Sequence, residues 1–246
     1  MAFSLKYNGV AAPSFLKVTG VNQYILPDIE HYTTSIVGGY GDVDGGVRFG
    51  KKVFDVNYTI IFDGKHDDTY YIDAMALWLM GNDHKVSKLQ LDNSGEYYMA
   101  RVTDATDFED FILYGSGTIT FTASNPRRYA SQETTVNLAK SGSTTVNYNG
   151  YVPALPVITI VCPSGTKSVK IENTTIGKYV LVSGTLTGTL TIDNNKKYVA
   201  IGEEKQMGLL DTASDWIKLL MGSNVIKITV TGTAITSATM KYTVTK

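Results

Sequence analysis

The sequence has a single cysteine, few charges and no long hydrophobic run, and each shortage excludes a class of protein. Cys162 has no second cysteine to pair with, so an intramolecular disulfide framework is impossible. It lies in the apolar stretch Val157–Cys162, far from any histidine, which predicts a small buried side chain and not a catalytic thiol. No segment approaches the ~20 apolar residues of a membrane span, and the first residues lack the basic and apolar regions of a signal peptide. We therefore expect a protein that stays soluble and has no membrane span.

Charge is scarce and also balanced. Lysine and arginine number 22 against 23 acidic residues, and only 18% of residues are charged. Basic residues cluster at most in doublets such as Arg127–Arg128, whereas a nucleic-acid-binding surface concentrates them to neutralise phosphates. The 16 tyrosines belong to a residue type that is enriched where proteins meet. The composition therefore favours a component of an assembly over a nucleic-acid binder.

The sequence lacks the motifs of enzyme chemistry. The histidines, His31, His66 and His84, have no metal-binding spacing, and neither a nucleophile elbow nor a glycine-rich phosphate loop occurs. Gly41–Gly46 resembles the start of a calcium loop but lacks its later acidic ligands. A flexible glycine-rich turn or an interface loop is the favoured interpretation of that segment. We expect no enzymatic activity, no cofactor and no metal.

Short segments rich in β-branched and aromatic residues, separated by turn-forming residues, predict a mainly β protein. In the clearest of them, 52–62, every second residue from Phe54 to Phe62 is apolar, so one face of the strand should be buried. The predicted strands are Lys52–Phe62, Lys88–Asp92, Tyr97–Thr103, Gly117–Ala123, Val157–Val161, Val169–Asn173, Tyr179–Ser183, Thr189–Asp193, Tyr198–Ile201, Val225–Val230 and Thr239–Val244.

One helix is predicted over Thr69–Met80. Asp67 and Asp68 offer capping oxygens and negative charge at its start, and Gly81 offers a stop at its end. A second, short helical turn is predicted near Thr212–Trp216. The apolar side of the main helix, given by helical spacing, is Ile72, Met75, Ala76 and Leu79, flanked by Tyr71 and Trp78.

A change of composition divides the chain. Residues 136–152 contain a run of small polar residues and an Asn-Gly turn, followed by Pro153 and Pro156, which is typical of a connection. We expect an N-terminal β-sandwich-like domain with one α-helix over 1–135, a linker over 136–152, and a second domain over 153–246. Frequent turn signals in the second domain favour a β-sandwich.

Six segments of the first half follow one another in an order that is found in a known family. A strand with one buried face precedes a helix with a Trp-Leu pair, and a strand with the pattern Tyr-Tyr-x-Ala-Arg comes later. This order resembles the N-terminal domain of siphophage distal tail proteins. The segments are Val53–Phe62, Ala76–Leu79, Leu89–Asp92, Tyr97–Val102, Gly117–Ala123 and Asn125–Tyr129.

The second half is similar to the galectin-like C-terminal domain of the same family. Pro156 precedes the first long strand, Thr189–Asp193 lies in mid-domain, and a Gly-x-Asn turn at 222–224 leads a late strand. Met221 occupies a position where relatives often have proline, so we expect a less rigid turn. No large extra segment interrupts the chain, so the carbohydrate-binding modules inserted in some relatives should be absent.

The resemblance implies a structural protein at the tip of a long, non-contractile phage tail, made in the host bacterial cytoplasm. It implies a homo-hexameric ring that joins the tail tube protein to tail-associated hub or fibre proteins, with DNA only in transit through its channel. The contacts in such a ring are heterologous, since a patch on one subunit meets a different patch on the next. A near-neutral protein suits the channel, because a strongly basic one would retain DNA.

The candidate ring interface comprises the glycine-rich segment Tyr40–Gly50, the hairpin Tyr97–Asp110 and the helix edge. The alternative function is a carbohydrate-binding module at the host surface, with Trp216 as the glycan or partner contact. Alternation within Trp216–Leu220 explains that tryptophan equally well as a buried residue. The candidate interface residues are Tyr40, Asp42, Asp44, Tyr97, Tyr98 and Arg101.

Overall fold

The computed structural model describes residues 4–80, 83, 85–105 and 115–246. The chain forms two compact units, Met1–Ser131 and Gln132–Lys246, each with its own hydrophobic core. Both are built mainly of β-strands, which confirms the mainly β class predicted from the sequence. Within the described ranges, no helix is long and apolar enough to cross a membrane.

The described elements of the first unit are mostly strands, and the last of them continues into the second unit. They are β1 (Lys6–Tyr7), β2 (Val10–Ala11), β3 (Leu16–Gln23), β4 (Ile29–Ser35), β5 (Asp42–Phe49), β6 (Lys52–Ile60), α1 (Asp68–Met80), β7 (Ser87–Gln90), β8 (Tyr97–Ala105), β9 (Ser116–Ala123) and β10 (Arg128–Asn137).

The second unit contains long strands and one short 3₁₀ helix, Met207–Leu209. Its strands after β10 are β11 (Gly142–Tyr148), β12 (Val157–Asn173), β13 (Lys178–Asp193), β14 (Tyr198–Ile201), β15 (Glu204–Lys205), β16 (Gly222–Gly232) and β17 (Ser237–Thr245).

Strand β8 connects two groups of strands in the first unit. Its first residues pair with β7 and β10, and its later residues pair with β9, which leads on to β6 and β3. Strand β7 in turn pairs with β1. The inward side chains of these strands form one core, in which Phe54, Leu89, Ile119 and Phe121 are fully buried.

The alternation predicted for 52–62 is confirmed as far as Ile60. Strand β6 buries Phe54, Val56, Tyr58 and Ile60, because successive side chains of a strand point to opposite faces. The strand ends at Ile60. Phe62 therefore lies beyond the alternating segment and remains 43% exposed.

The helix α1 agrees closely with the predicted range, since it begins one residue earlier and ends at Met80 as predicted. The Asp67 Oδ1 atom accepts the backbone N–H of Tyr70 at 3.1 Å, so this carboxylate caps the first turn. The predicted stop at Gly81 lies outside the described residues.

The buried side of α1 differs from the predicted one. Tyr71, Met75, Trp78 and Leu79 are buried, whereas Ile72 and Ala76 are only partly buried. The two aromatic side chains bury the largest apolar areas on the helix, so their burial determines its rotation. The polar atom of each aromatic side chain also has a hydrogen-bond partner. The Trp78 indole donates to the Val10 carbonyl at 3.3 Å, and the Tyr71 hydroxyl donates to the Asp63 carboxylate.

Strands β4 and β5 form a two-stranded sheet and, in the described part of the chain, pair only with each other. We call residues 24–50 the arm. The prediction of a turn or loop here is wrong for Asp42–Phe49, which is strand β5. Closely spaced glycines conceal the strand in the sequence, because Gly45 and Gly46 interrupt its alternation where the pairing register shifts.

Strands β12 and β13 each replace two predicted strands. The first part of β12 pairs with β17 and its last part with β16, while β13 pairs with it along both parts. The change of neighbour occurs where the register shifts between Cys162 and Ser168, next to Gly165 with φ of 90°, as strands do when they turn a corner. Cys162 is buried as predicted, and burial raises the pKa of its thiol.

The segment 136–152, predicted as a linker, contains a strand of the second unit. Strand β11 pairs with β16 along its whole length, and Val146 and Tyr148 are buried in the core. The Tyr148 hydroxyl donates to the Val152 carbonyl at 2.6 Å and accepts the Thr245 N–H at 3.2 Å. The linker was predicted because β11 begins with small polar residues, which are typical of a connection. Its threonines are nevertheless compatible with a strand.

The helical turn predicted near Thr212–Trp216 is reduced to one hydrogen-bonded turn at 211–214, in which the Ser214 N–H donates to the Asp211 carbonyl at 3.0 Å, and no helix forms. The backbone N–H groups of Asp211 and Asp215 donate to the carbonyls of Leu181 and Tyr179, which lie on β13. These bonds tie both ends of the turn to β13, so the Asp215 N–H is unavailable to continue it into a helix.

A buried asparagine explains the Gly-x-Asn turn that precedes the body of β16. The Asn224 Oδ1 atom accepts the Leu220 N–H at 3.0 Å and the Asn173 amide at 3.1 Å. Its Nδ2 donates to the Leu220 carbonyl at 2.7 Å. One fully buried side chain thus pairs polar groups that would otherwise lack partners in the interior.

Replacing Asn224 by alanine removes these three bonds and a fourth, from its Nδ2 to the Gly222 carbonyl at 3.2 Å, and leaves buried donors and acceptors unpaired. We expect the full chain to lose about 2–4 kcal/mol of unfolding free energy in urea denaturation, because each buried orphan group costs about 1–3 kcal/mol. The neighbouring exposed residue supplies the control, since Ser223→Ala should change this free energy by less than about 0.5 kcal/mol. Equal stability of Asn224→Ala and wild type would contradict this role.

Candidate interaction surfaces

The arm exposes a large apolar surface. Of the 23 large hydrophobic side chains that are exposed in the described part of the chain, 11 lie between Tyr24 and Phe49. Ile25, Val37 and Tyr40 have exposures of 94%, 102% and 109%, and every residue of β4 and β5 is exposed. A patch of this size marks an interaction site, and a lone two-stranded sheet is only marginally stable in water. The arm is therefore a candidate interaction surface.

The register of the arm places apolar and acidic side chains on one side. Ile29 pairs with Phe49 and His31 with Val47, and beyond the register shift Thr33 pairs with Asp44 and Ser35 with Asp42. Because directly paired residues share a face, that face combines three apolar side chains with two carboxylates. We call it the acidic face of the arm: Ile29, Asp42, Asp44, Val47 and Phe49.

The base of the arm is fixed by backbone hydrogen bonds. The Gly50 N–H donates to the Asp28 carbonyl at 2.7 Å, and the Asp28 N–H donates to the Lys51 carbonyl at 3.1 Å. On the side opposite the acidic face, Arg48 lies 3.5 Å from Glu30. The arm has four carboxylates but only this one guanidinium, so its net charge is negative.

A second surface lies on β7, β8 and the start of β10. Lys88 pairs with Met99, and Tyr129 pairs with Tyr97, so these side chains point the same way. The Lys88 Nζ atom lies 4.7 Å from the centre of the Tyr97 ring, and the Tyr97 and Tyr129 rings stack at 5.6 Å. We call this surface the basic face: Lys88, Tyr97, Met99, Arg101, Arg127 and Tyr129.

Tyr98 points to the interior, unlike the other candidate residues of β8. Its ring packs against Phe54 at 4.5 Å, and burial raises the pKa of its hydroxyl. Arg128 lies on the same inward side, 2.7 Å from Glu96. The candidate residues Tyr40, Asp42 and Asp44 lie on the arm, and Tyr97 and Arg101 lie on the basic face. Residues 106–110 of the candidate hairpin lie outside the described residues.

A third surface consists of short polar side chains on β6 and β9. The Thr120 hydroxyl donates to Asp55 and the Thr118 hydroxyl donates to Asn57, each at 2.8 Å. Thr122 continues the row and lies 2.9 Å from the Thr103 hydroxyl. We call it the hydroxyl face: Asp55, Asn57, Thr118, Thr120 and Thr122. The alternation in the sequence predicts that one side of β6 is exposed to solvent. It does not identify this surface, because the threonines come from a separate strand, β9.

A cleft of about 250 Å³ lies beside the start of α1, between the aromatic rings of Phe15, Tyr70 and Tyr71. Asp63 accepts a hydrogen bond from the Tyr71 hydroxyl at 2.7 Å and lies 2.8 Å from the His66 Nδ1 atom. The hydroxyl of Tyr71 and the backbone N–H of Lys65 hold the pKa of Asp63 well below its ordinary range. Both carboxylate oxygens already have partners, so this cluster fastens the loop before the helix.

The described residues contain no group of three or more His, Cys, Asp or Glu side chains that could hold a metal ion. Asp44, from the segment with a calcium-like start, accepts the Gly46 N–H at 2.7 Å as part of the arm.

Trp216 is half-buried and packs against the core of the second unit. It adjoins the buried residue Ile217, whose N–H donates to Asn194. The indole is therefore part of the packing and does not form an exposed aromatic platform.

Both halves of the chain match models of phage tail proteins. Residues 13–123 match the Phage tail protein RIFT-related domain, and residues 149–245 match the Siphovirus-type tail component, C-terminal domain. No curated protein matches the chain in sequence.

A solved structure of a phage protein shares the fold. The Dit protein of phage SPP1, a paradigm of the hub adsorption apparatus in phages that infect Gram-positive bacteria, matches with a TM-score of 0.80 at 21% identity, over 100% of both chains. Two structures of the phage p2 baseplate in its activated conformation, with calcium and with strontium, give TM-scores of 0.48 and 0.46. Each has 10% identity over 99% of this chain and 98% of the matched chain.

The Tyr71–Asp63 bond predicts a pH-dependent stability. Because the pKa of Asp63 is lowered in the folded protein, this bond stabilises fully above the ordinary carboxylate range near pH 4. That stability is lost as pH falls through the lowered pKa. We expect Tyr71→Phe to melt below wild type at pH 7, with a difference that shrinks below about pH 4. Calorimetry from pH 7 to pH 2.5 measures it.

Tyr70→Phe is the matched control for that experiment. Its ring stacks on His66 without a bond to Asp63, so its melting difference from wild type should stay constant with pH. A constant difference for Tyr71→Phe as well would contradict the assignment.

Proposed function

Because the chain belongs to the siphophage distal tail protein family, whose models match both of its halves, we propose that it forms a homo-hexameric ring at the tail tip. The family consists of structural tail and baseplate proteins and not of known enzymes. In our proposal the ring joins the tail tube protein to the hub or fibre proteins and leaves a channel for DNA. The role is structural, with no catalytic step in this chain.

The exposed arm is the main observation that supports the proposed ring. Its apolar side chains have no cover within the described part of the chain, and burying apolar surface yields roughly 25 cal/mol per Å². An arm that leaves its own subunit and packs on the next gives a heterologous contact, and such contacts close into a ring when the rotation between neighbours allows it. Repeating one contact around the ring then covers every arm.

The hydroxyl face supports a channel for DNA. Its five side chains are short, are hydrogen-bonded to neighbouring strands and include one carboxylate but no cation. These five side chains offer nothing that neutralises phosphates, which is the main source of affinity for DNA. Arg101 pairs with Thr122 at the edge of this face and belongs to the basic face. We propose that this face borders the channel, so that DNA passes without being retained.

The edge of α1 supports contact with a further component. Tyr70, Leu77 and Met80 are exposed at 45%, 74% and 51%, which is a second apolar strip on the first unit. We propose that this edge meets the tube or the hub, since a ring between two partners must offer a surface to each. Assembly at the virion tail tip would follow synthesis in the cytoplasm of the host.

Replacing Phe49 by aspartate tests the ring. Wild type should form a species about six times the monomer mass in size-exclusion chromatography with light scattering. Phe49→Asp should weaken assembly on the order of tenfold or more, because it removes about 1.5–3 kcal/mol of apolar burial and adds a charge. Its melting temperature should stay close to that of wild type, since Phe49 is 57% exposed and outside the core.

Thr187→Asp adds the same charge at an exposed strand position of the second unit and should assemble like wild type. A wild-type chain that remains monomeric at high concentration would contradict the ring.

A further inference from the structure

We propose that the basic face of one copy receives the acidic face of the arm from the next copy. This rests on the proposed ring and adds to it the identity of the two surfaces that meet. Both surfaces lie on the first unit and are formed by different strands, as a heterologous contact requires.

The charges of the two faces are complementary. The acidic face carries Asp42 and Asp44, and the whole arm has an excess of carboxylates. The basic face contributes Lys88, Arg101 and Arg127, all exposed. Glu96, which directly precedes β8, pairs with Arg128 on the inward side, so it does not cancel the three cations.

The apolar parts of the two faces also correspond. Ile29, Val47 and Phe49 lie on the same side of the arm as its carboxylates. The stacked rings of Tyr97 and Tyr129, with Met99 beside them, provide a flat and partly buried surface among the cations. Tyrosine, methionine and arginine are the residue types that concentrate at the centre of interfaces.

The basic face is also rigid, which lowers the entropy lost on binding. Lys88 lies over the Tyr97 ring. On the opposite side of the same strands, Lys52 lies over the Tyr98 ring at 5.5 Å and the Arg128–Glu96 ion pair closes at 2.7 Å. These contacts hold β8 and β10 in place from their inward side. The outward rings of Tyr97 and Tyr129 therefore lose little conformational entropy on binding.

A DNA strand is a weaker candidate for the same surface. Three cations give a small phosphate-binding capacity, and the acidic face of the arm would compete for them. In the proposed contact the same cations are neutralised by protein carboxylates, so the basic face itself offers no free cations to passing DNA.

Charge reversal with rescue tests the contact by light scattering at low salt, where screening is weak. We expect Asp42→Lys with Asp44→Lys to weaken assembly by about tenfold or more, and Lys88→Glu with Arg127→Glu to do the same. The variant with all four changes should recover assembly to within about threefold of wild type. Lys17→Glu, an exposed reversal on β3, is the control and should assemble normally.

The possible results distinguish failure of the proposed contact from failure of the proposed ring. Weakening by the arm reversal alone, or two reversals without rescue, would overturn the contact while leaving the ring intact. Monomeric wild type would overturn the ring and the contact together. Melting temperatures near that of wild type would show that the variants fold.

Cysteine cross-linking provides a second measurement. The native Cys162 is buried, so an added surface thiol reports on its own surroundings. An equimolar mixture of Asp44→Cys and Lys88→Cys, oxidised with diamide, should yield a disulfide-linked dimer, whereas neither variant alone should do so. Homodimers in each single variant, with no heterodimer in the mixture, would contradict the pairing of unlike faces.

Discussion

The apolar surface of the arm is the constraint on which the rest of the account depends. Burial of apolar surface is the main favourable term in folding and association, yet the arm points Ile25, Val37 and Tyr40 into solvent. Strands β4 and β5 pair their backbone groups along the edge they share but cannot bury each other's side chains. No described residue outside the arm covers this surface, and the proposed assembly supplies the cover from a neighbouring copy.

The outer surface of the first unit consists of faces that differ in chemistry. Core residues such as Phe54 and Phe121 are fully buried, so the unit does not need the arm for its own stability. The outward faces can then differ in chemistry: cations and tyrosines on β7 and β8, and bonded hydroxyls on β6 and β9. The low overall charge suits the proposed ring, in which surfaces that meet or let DNA pass would retain few unpaired charges.

The sequence predicted the elements with strong local patterns and failed where the pattern was broken. The alternation from Phe54 to Ile60 predicted β6 to within two residues, and cap and spacing predicted α1. Glycines broke the alternation of β5, and small polar residues concealed β11. The interaction surfaces were only partly predictable, because pairing across strands decides that Tyr97 points outward while Tyr98 packs on Phe54. No local pattern carries that information.

Hydrogen–deuterium exchange of the arm, measured at increasing protein concentration, tests the central claim most directly. The amides of Ile29–Ser35 and Asp42–Phe49 lie in an exposed two-stranded sheet and should exchange rapidly in the dilute monomer. The account predicts that their exchange slows in step with the appearance of the larger species, while the amides of the core strand β6 remain slow throughout. An assembled species whose arm amides exchange as rapidly as those of the monomer would contradict it.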